Sequence, residues 1–341
     1  MEVLQDQNWT PLGEVGGQYS PSILLLLLLL LYKSHQQGAP AARTSLSVLR
    51  RSSASLRRSA AAFLGSPSAD APVSSSMPPS ADLGRVLAVI TGASRGFGRA
   101  VAKDVSRSVR PGSVLVLVAR SGPELRALQA ELIQSEAGRA GLQVEVVVAD
   151  VGQKEGLEEV LRRSKRAFTE EITHLVLVNN AASLGDVSHF MKDFTNMAEV
   201  DSYLSLNVSS ALCLTAGVLQ AFPRRPALRR TVVNVTSLCA LQPFPSWGLY
   251  CTGKAARDMA FRVLAEEEPD LRVLSYSPGP LDTAMQAEAR SKTADPNIKQ
   301  SFSDLFAQGQ LLTCEESCSK LMKVLLEDSF TSGAHIDVFD V

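Results

Sequence analysis

The sequence predicts an α/β fold in which a parallel sheet of about seven strands is covered by helices on both faces. Three observations predict it. From Leu83 onward, short runs of β-branched and aliphatic residues alternate with helical segments. The run Ser113 to Ala119 is continuously apolar, as expected for a strand buried on both faces. A glycine-rich turn from Thr91 to Gly98 stands between the first run and the first helical segment.

The individual elements follow from hydrophobic periodicity. Strands are predicted at Val86 to Thr91, Ser113 to Ala119, Val144 to Ala149, His174 to Asn179, Thr231 to Ser237, Leu271 to Ser277 and Ala334 to Phe339. A helix is predicted from Phe97 to about Val109, a second along Leu125, Leu128 and Leu132, and others starting near Lys154, Ser202, Tyr250 and Cys314. We expect one domain over residues 83–341.

Composition excludes several classes of function. The 341 residues are 45% hydrophobic and 20% charged, with a net charge of -1, which gives no indication of a nucleic-acid partner. The five cysteines form no Cys-x-x-Cys pair. An odd count without metal spacing is typical of reduced thiols in the cytosol. We therefore expect a cytoplasmic protein without a metal site.

Residues 1–82 have a different character. Ile23 to Leu31 is an unbroken aliphatic run of nine residues, shorter than the roughly twenty that a transmembrane helix needs. The residues before it include acids but no Lys or Arg, unlike a secretory signal. Ser66 to Pro79 is rich in Ser, Pro and Ala. We expect a disordered extension without stable membrane insertion, with a targeting signal as the alternative. Met77 stands about where the domain would begin.

The glycine-rich turn predicts a dinucleotide site. Its glycines at 92, 96 and 98 lie between a strand and a helix. At such a turn, backbone amides approach a pyrophosphate at the positive end of the helix. Glycine-rich turns also serve tight packing alone, but the position between strand and helix favours the binding function.

Charge predicts which dinucleotide is bound. NAD enzymes place an acid at the end of the second strand, whereas this chain has Arg120 there and Arg95 inside the glycine-rich turn. Two guanidinium groups suit a 2′-phosphate. NADP(H) is therefore the expected cofactor. The alternative for Arg120 is an ordinary solvated loop residue.

Tyr250 and Lys254 predict acid–base chemistry. They lie four residues apart in a helical segment, so they share one face. An ammonium beside a phenol is expected to lower a pKa that is otherwise about 10, which would suit a general acid. Ser237 stands thirteen residues before Tyr250, at the end of a predicted strand. Such Tyr–Lys spacing is common on helices, and the glycine-rich turn upstream is what favours a catalytic role.

These motifs together resemble the short-chain dehydrogenase/reductase family, whose fold is a single Rossmann-type doubly wound sheet. Further stretches resemble the pterin-reducing branch of that family, namely Ser183 to Ser188, Ser237 to Phe244, Tyr276 to Thr283 and Ser332 to Asp337. The resemblance runs from about Leu83 to the C-terminus. It implies NADPH-dependent reduction of a carbonyl on a pterin side chain (sepiapterin or 6-pyruvoyl-tetrahydropterin), the final step of tetrahydrobiopterin synthesis.

Two alternatives remain open. A general NADPH carbonyl reductase acting on diketones, steroids or xenobiotics would share the same catalytic residues. A silent dinucleotide-binding regulator would need the fold but not the proton donor.

The resemblance also assigns residues. The catalytic positions are Asn207, Ser237, Tyr250 and Lys254. The cofactor-binding positions are Gly92, Ser94, Arg95, Gly96, Phe97, Gly98, Arg120, Asp150, Val151, Asn179, Tyr250, Lys254, Gly279, Leu281, Thr283, Met285 and Gln286. The substrate positions are Ser237, Leu238, Tyr250 and Asp337, the last as the anchor of the pterin ring.

The resemblance further implies how the C-terminal third is used. Leu281 to Gln286 should form a loop that closes over the nicotinamide. Gln286 to about Gln310 is polar and is expected to be an irregular substrate lid. Similar enzymes associate through long helices at the sheet edge, so a homodimer is expected.

Overall fold

Seven strands form one sheet in the order β3-β2-β1-β4-β5-β6-β7, and every neighbouring pair is parallel. The strands are β1 (Val86–Thr91), β2 (Val114–Ala119), β3 (Gln143–Val148), β4 (His174–Asn179), β5 (Arg229–Val235), β6 (Leu271–Ser277) and β7 (Ala334–Asp337). The order reverses between β1 and β4, where ligands bind in sheets of this kind. The predicted fold class is confirmed.

The computed structural model describes residues 82–341, and all structural statements refer to that range. The apolar run Ile23 to Leu31, Met77 and the rest of the predicted extension up to residue 81 lie outside the described residues.

Helices cover both faces of the sheet. They are α1 (Gly96–Arg107), α2 (Gly122–Gln134), α3 (Glu136–Arg139), α4 (Lys154–Ala167), α5 (Met197–Leu204), α6 (Ser210–Ala221), α7 (Gly248–Glu267), α8 (Ala284–Lys292), α9 (Pro296–Ala307) and α10 (Cys314–Glu327). One face packs α1, α2 and α10 into a core that includes Ala100, Leu125 and Leu321. The other packs α4, α6 and α7 into a core that includes Leu214 and Phe261.

Two predicted strands end earlier than expected. β5 ends at Val235, so Ser237 lies beyond the strand, just before a 3₁₀ turn over Leu238–Ala240. β7 ends at Asp337 rather than Phe339. The carboxylate of Asp337 caps a 3₁₀ turn, Val338–Asp340, and this local bond competes with continuation of the strand.

The helix predicted near Ser202 begins earlier, at Met197, where the Asn196 side chain accepts a 3.0 Å bond from the amide of Ala198. A π-turn over Ser205–Ser209 joins α5 to α6. The stretch Met197–Ala221 has 25 residues and is long and apolar enough to cross a membrane. Its second part, α6, packs Ala211, Leu214 and Val218 into the core of the domain.

The lid prediction is wrong in its detail, because Gln286 to Gln310 is mostly helical. Thr283 caps α8, and Asp295 caps α9 by accepting bonds from two backbone amides. Pro296 at the first position of α9 adds to the helix-start signal. These caps outweigh the polar composition that indicated a loop.

Candidate active site

The glycine-rich turn forms a narrow cradle at the start of α1. Gly92 and Gly96 have φ of 69° and 54°, which glycine adopts without strain. A side chain at Gly98 would overlap the side-chain nitrogen of Asn180 and the backbone oxygen of Gly92. Arg95, at the N-cap of α1, makes no side-chain capping bond. The amides of the first turn are therefore available for a pyrophosphate, and the cradle fits the predicted dinucleotide.

Asn180 braces this cradle. Its side-chain Nδ2 donates to the backbone oxygen of Thr91 at 2.9 Å, and its backbone amide donates to Thr91 Oγ1 at 3.0 Å. The predicted cofactor residue Asn179 instead turns its side chain away, donating to Thr215 Oγ1 at 2.8 Å. Sequence reasoning missed Asn180. The sequence signal for Asn180 was its position directly after Asn179, as the first residue beyond β4.

Arg120 directly follows β2, as the sequence predicts. Arg120 is exposed, and its Nη1 lies 3.9 Å from Asp150 Oδ2. An exposed ion pair this long contributes little, so the guanidinium remains free to bind an anion. Arg95 in the cradle is also exposed, whereas Val151, beside Asp150, is buried.

A cavity of about 560 Å³ continues from this end of the site, between the predicted adenosine-binding residues and α5. Its lining includes Arg120, Asp150, Gly185, Tyr203 and Leu249. Neither Ser237 nor Tyr250 lines this cavity.

Ser237 and Tyr250 are brought together as predicted. The Ser237 hydroxyl is near enough to Tyr250 to favour its phenolate, although Ser237 follows β5 and Tyr250 lies in the first turn of α7. Ser237 Oγ accepts a 3.2 Å bond from the amide of Cys239, which fixes its position in the 3₁₀ turn. Tyr250 is 9% exposed and meets the Trp247 ring edge-on at 5.4 Å. Leu238 is half-buried in the same turn.

Lys254 lies close to Tyr250 but does not bond it. Its Nζ donates to the backbone oxygen of Val235 at 2.7 Å and lies 5.5 Å from the centre of the Tyr250 ring. Burial, and then the charge of Arg257, lower the pKa of Lys254 well below its usual range.

The predicted net lowering of the Tyr250 pKa is wrong in this structure. Burial raises the pKa of Tyr250 well above its usual range, and the neighbouring Ser237 hydroxyl only partly opposes that rise. Tyr250 consequently keeps its proton at neutral pH, which is the form that a proton donor requires.

Asn207 lies in the π-turn between α5 and α6 and is 3% exposed. Its Oδ1 accepts from the amide of Ser183 at 2.8 Å, and its Nδ2 donates to Ser183 Oγ at 3.0 Å and to the backbone oxygen of Tyr203 at 2.9 Å. The structure thus places Asn207 as a support for the loop after β4. Interrupted helical turns of this kind are frequent at functional sites.

The segment after β6 lies beside the cradle, but the predicted loop Leu281 to Gln286 is wrong in its second half, because a helix capped by Thr283 begins at Ala284. Gly279 has a φ of 77°, and a side chain there would meet Val338. Thr283 lies against Gly96, since a Cβ built on Gly96 would stand 3.6 Å from Thr283 Cγ2. The segment therefore lies where it can cover a dinucleotide.

The remaining residues of that segment point in different directions. Met285 packs into an apolar cluster with Trp247 and Tyr250. Gln286 is buried, and its Nε2 donates to the backbone oxygen of Phe302 in α9 at 3.0 Å. Leu281 is also buried. Gln286 thus holds the two helices together rather than facing the cradle.

Asp337 lies at the carboxyl edge of the sheet, in register with Ser277 at the end of β6. Its Oδ2 accepts from Ser277 Oγ at 2.6 Å, and its Oδ1 accepts from the amide of Phe339 at 3.1 Å. A carboxylate offers about four lone-pair positions, so about two remain for a ligand. Two strand spacings put Asp337 about 10 Å from the end of β5, the strand that leads to Ser237.

A sequence profile of the family described as short chain dehydrogenase matches residues 86–294. That span includes the cradle and the Ser237, Tyr250 and Lys254 positions. The chain belongs to the short-chain dehydrogenase family. It is accordingly an NADP(H)-dependent oxidoreductase acting on a small-molecule substrate.

Two members of this family that are similar to this chain have the same name. Sepiapterin reductase of Meriones unguiculatus is 51% identical over 262 residues, covering 76% of this chain and 99% of that protein. Sepiapterin reductase of Rattus norvegicus is 49% identical over 260 residues, covering 76% and 98%. Among solved structures, the crystal structure of the KRED1-Pglu enzyme superposes with a TM-score of 0.63 at 26% identity, covering 73% of this chain and 99% of that one.

Proposed function

We propose that this chain uses NADPH to reduce a carbonyl group on the side chain of a pterin, such as sepiapterin or 6-pyruvoyl-tetrahydropterin, in the final step of tetrahydrobiopterin synthesis. The observation that carries the proposal is the position of Asp337. Its partly unused carboxylate lies at the same sheet edge as Ser237 and Tyr250. Relatives about 50% identical that are named sepiapterin reductase support the same substrate.

The reduction needs a hydride and a proton on opposite ends of a carbonyl bond. NADPH supplies the hydride from its nicotinamide. We assign the proton to Tyr250, which burial keeps protonated. Ser237, the neighbour of Tyr250, would donate to the same carbonyl oxygen and stabilise the developing alkoxide.

We assign Lys254 two supporting roles in this chemistry. Its bond to the Val235 oxygen uses one of three ammonium protons, and the others are available to the ribose next to the nicotinamide. A positive charge 5.5 Å from the Tyr250 ring also favours the phenolate as the proton leaves. Asn207 would act indirectly, by holding the Ser183 loop beside the site.

The cofactor would lie along the carboxyl edge of the sheet. We assign the pyrophosphate to the amides of the cradle over Gly92 to Gly98, and the 2′-phosphate to Arg120 with Arg95 beside it. Asp150 and Val151 would flank the adenine. Thr283, in contact with Gly96, would close over the nicotinamide end.

Asp337 is the residue we assign to substrate recognition. A pterin presents its 2-amino group and N3-H as adjacent donors, and a carboxylate accepts both. The two strand spacings, about 10 Å, between Asp337 and the end of β5 would leave room for the bicyclic ring. Leu238 and Met285 would supply apolar contacts to the ring and its side chain.

We also propose a cytoplasmic homodimer built on residues 83–341 as a single domain. The outer faces of α6 and α7 carry exposed apolar side chains, with Leu212 38%, Met259 53% and Val263 46% exposed. Adjacent helices with such faces support association with a second copy. All five cysteines are free, which suits a reducing compartment.

A substrate panel tests the proposal. The full chain is assayed with sepiapterin, 6-pyruvoyl-tetrahydropterin, a small diketone and a steroid ketone, each with NADPH and with NADH. The highest kcat/KM is expected for the pterins with NADPH. A higher value for the diketone or the steroid would assign the chain to the general carbonyl reductases instead.

A further inference from the structure

Arg257 lies on α7, the helix that also carries Tyr250 and Lys254. Arg257 is 1% exposed. Its Nε donates to Asn234 Oδ1 at 2.9 Å, and its Nη2 donates to the backbone oxygen of Asn179 at 2.5 Å. Arg257 therefore ties α7 to the carboxyl ends of β4 and β5, which pair through Asn179 and Asn234.

The groups that bond Arg257 are neutral. Its remaining contact is the backbone oxygen of Ala181, 3.5 Å from Nη1. Within residues 82–341, no carboxylate lies within the 4.0 Å of an ion pair with this guanidinium. The adjacent Asp258 is engaged by His335 at 2.7 Å and by Arg262 at 3.4 Å.

A full positive charge is thus buried without a counterion. Such burial is costly, and charges of this kind concentrate at functional sites.

This charge acts on both candidate catalytic side chains. Burial raises the pKa of Tyr250, and the charge of Arg257 opposes that rise by favouring the phenolate. Burial lowers the pKa of Lys254, and Arg257 lowers it further by repelling the ammonium. Both effects have the same sign, because each pKa is lower with the guanidinium in place.

We propose that Arg257 is a positioning residue for the proton transfer, whose fixed charge stabilises the negative charge that develops on Tyr250 as its proton leaves. This rests on the proposed role of Tyr250 as proton donor. A charge that is already oriented in a buried, water-poor site acts strongly on such a step. Arg257 acts through Tyr250 and through the strand ends that it holds, without touching the substrate.

Other titratable groups face Tyr250 from the elements packed around it. Burial raises the pKa of Tyr203 in α5. The hydrogen bond with Cys251, and then burial, raise the pKa of Cys239 in the 3₁₀ turn. The same bond lowers the pKa of Cys251 to about 7. Cys251 is therefore the neighbour that titrates near neutral pH, and Cys251→Ser identifies any contribution from it.

The test measures kcat and the KM for NADPH near neutral pH for the full chain, with a small diketone and with sepiapterin. Arg257→Lys keeps the charge, and Arg257→Gln removes it while keeping an N–H donor. In Arg257→Gln, we expect kcat to fall about tenfold while the KM for NADPH stays within about twofold. Arg257→Lys should keep kcat near that of the unmodified chain.

A second variant leaves Arg257 in place. Asn234→Asp puts a carboxylate where the amide oxygen now accepts from Nε at 2.9 Å, and so neutralises the guanidinium. It should lower kcat as Arg257→Gln does, with the KM for NADPH again within about twofold. Equal losses of kcat in Arg257→Gln and Arg257→Lys, or an unchanged kcat in Asn234→Asp, would overturn the proposal. Because the diketone reports proton transfer to any carbonyl, inactivity towards sepiapterin alone would contradict the pterin assignment and leave the Arg257 test intact.

Discussion

The ammonium of Lys254 donates a 2.7 Å hydrogen bond to the backbone oxygen of Val235, the last residue of β5. This bond fastens α7 to the end of the strand that leads directly to Ser237. Tyr250, on the same face of α7, is thereby held beside Ser237. The candidate catalytic geometry depends on a buried cation that bonds the backbone rather than on direct contact between ammonium and phenol.

Removal of the Tyr250 hydroxyl should abolish most turnover. Tyr250→Phe keeps the ring against Trp247 and leaves the cradle unchanged, so NADPH affinity should stay within about twofold. Loss of one acid–base group costs about 10²–10⁴ in rate. Steady-state kinetics with sepiapterin, together with NADPH binding by fluorescence, measures both effects. A Phe variant with near-normal kcat would remove Tyr250 as the proton donor.

Reversal of the charge at Arg120 should change the cofactor preference. Arg120→Asp replaces attraction to the 2′-phosphate by repulsion, and one charged hydrogen bond is worth about 1.5–3 kcal/mol, roughly a ten- to hundredfold change in affinity. The ratio of kcat/KM for NADPH and NADH measures it. Arg139→Asp, on the exposed helix α3, is the matched control and should leave the ratio unchanged. An unaltered ratio in Arg120→Asp would transfer the role to Arg95.

Much of the fold was predictable from the sequence. The predicted bounds of β1, β4 and β6 match those observed because each is a run rich in aliphatic residues that ends at a turn or a polar residue. Hydrophobic periodicity did not predict the helices whose starts are decided by local capping bonds. The caps at Thr283 and Asp295 start α8 and α9 within a polar segment that resembles a loop.

The site was predictable at the level of motifs but not of contacts. Spacing identified Ser237, Tyr250 and Lys254. It did not reveal that burial would dominate the pKa of Tyr250, because burial depends on packing between distant elements. Arg257 was missed although it lies seven residues after Tyr250, close to the same helix face. An arginine on a helix normally indicates a solvated face.

The stability of the fold should depend on His174, which is 2% exposed at the start of β4. Its Nδ1 lies 2.9 Å from the Leu83 oxygen and its Nε2 lies 2.8 Å from Thr231 Oγ1, which suits the neutral ring. Burial lowers the pKa of His174 from 6.5 to about 4. Between those values the unfolded chain binds a proton that the folded chain does not, so stability falls as pH falls through this window.

Urea unfolding at about pH 7 and about pH 5 measures the effect. His174 should contribute a loss of about 2 kcal/mol between the two. His174→Asn keeps one donor and one acceptor but does not titrate, so its pH-dependent loss should be smaller by that amount. Equal losses in the two proteins would show that other groups control the acid sensitivity.

The role of Asp337 is tested by the variant Asp337→Asn. An Asn oxygen can still accept from the Phe339 amide, so the turn Val338–Asp340 should persist. Its NH₂, however, would face the pterin donors, and an unpaired buried donor costs about 1–3 kcal/mol. Asp340→Asn, which removes a charge from the same turn, is the matched control and should affect neither substrate selectively.

The most direct measurement of the central claim is kcat/KM of Asp337→Asn for sepiapterin and for a small diketone, both with NADPH. The diketone lacks the 2-amino and N3-H donors, so it reports folding and Tyr250 chemistry alone. Pterin reduction anchored by Asp337 predicts a loss of roughly tenfold or more for sepiapterin, with the diketone within about twofold. Equal loss on both substrates, or no loss on either, would contradict it.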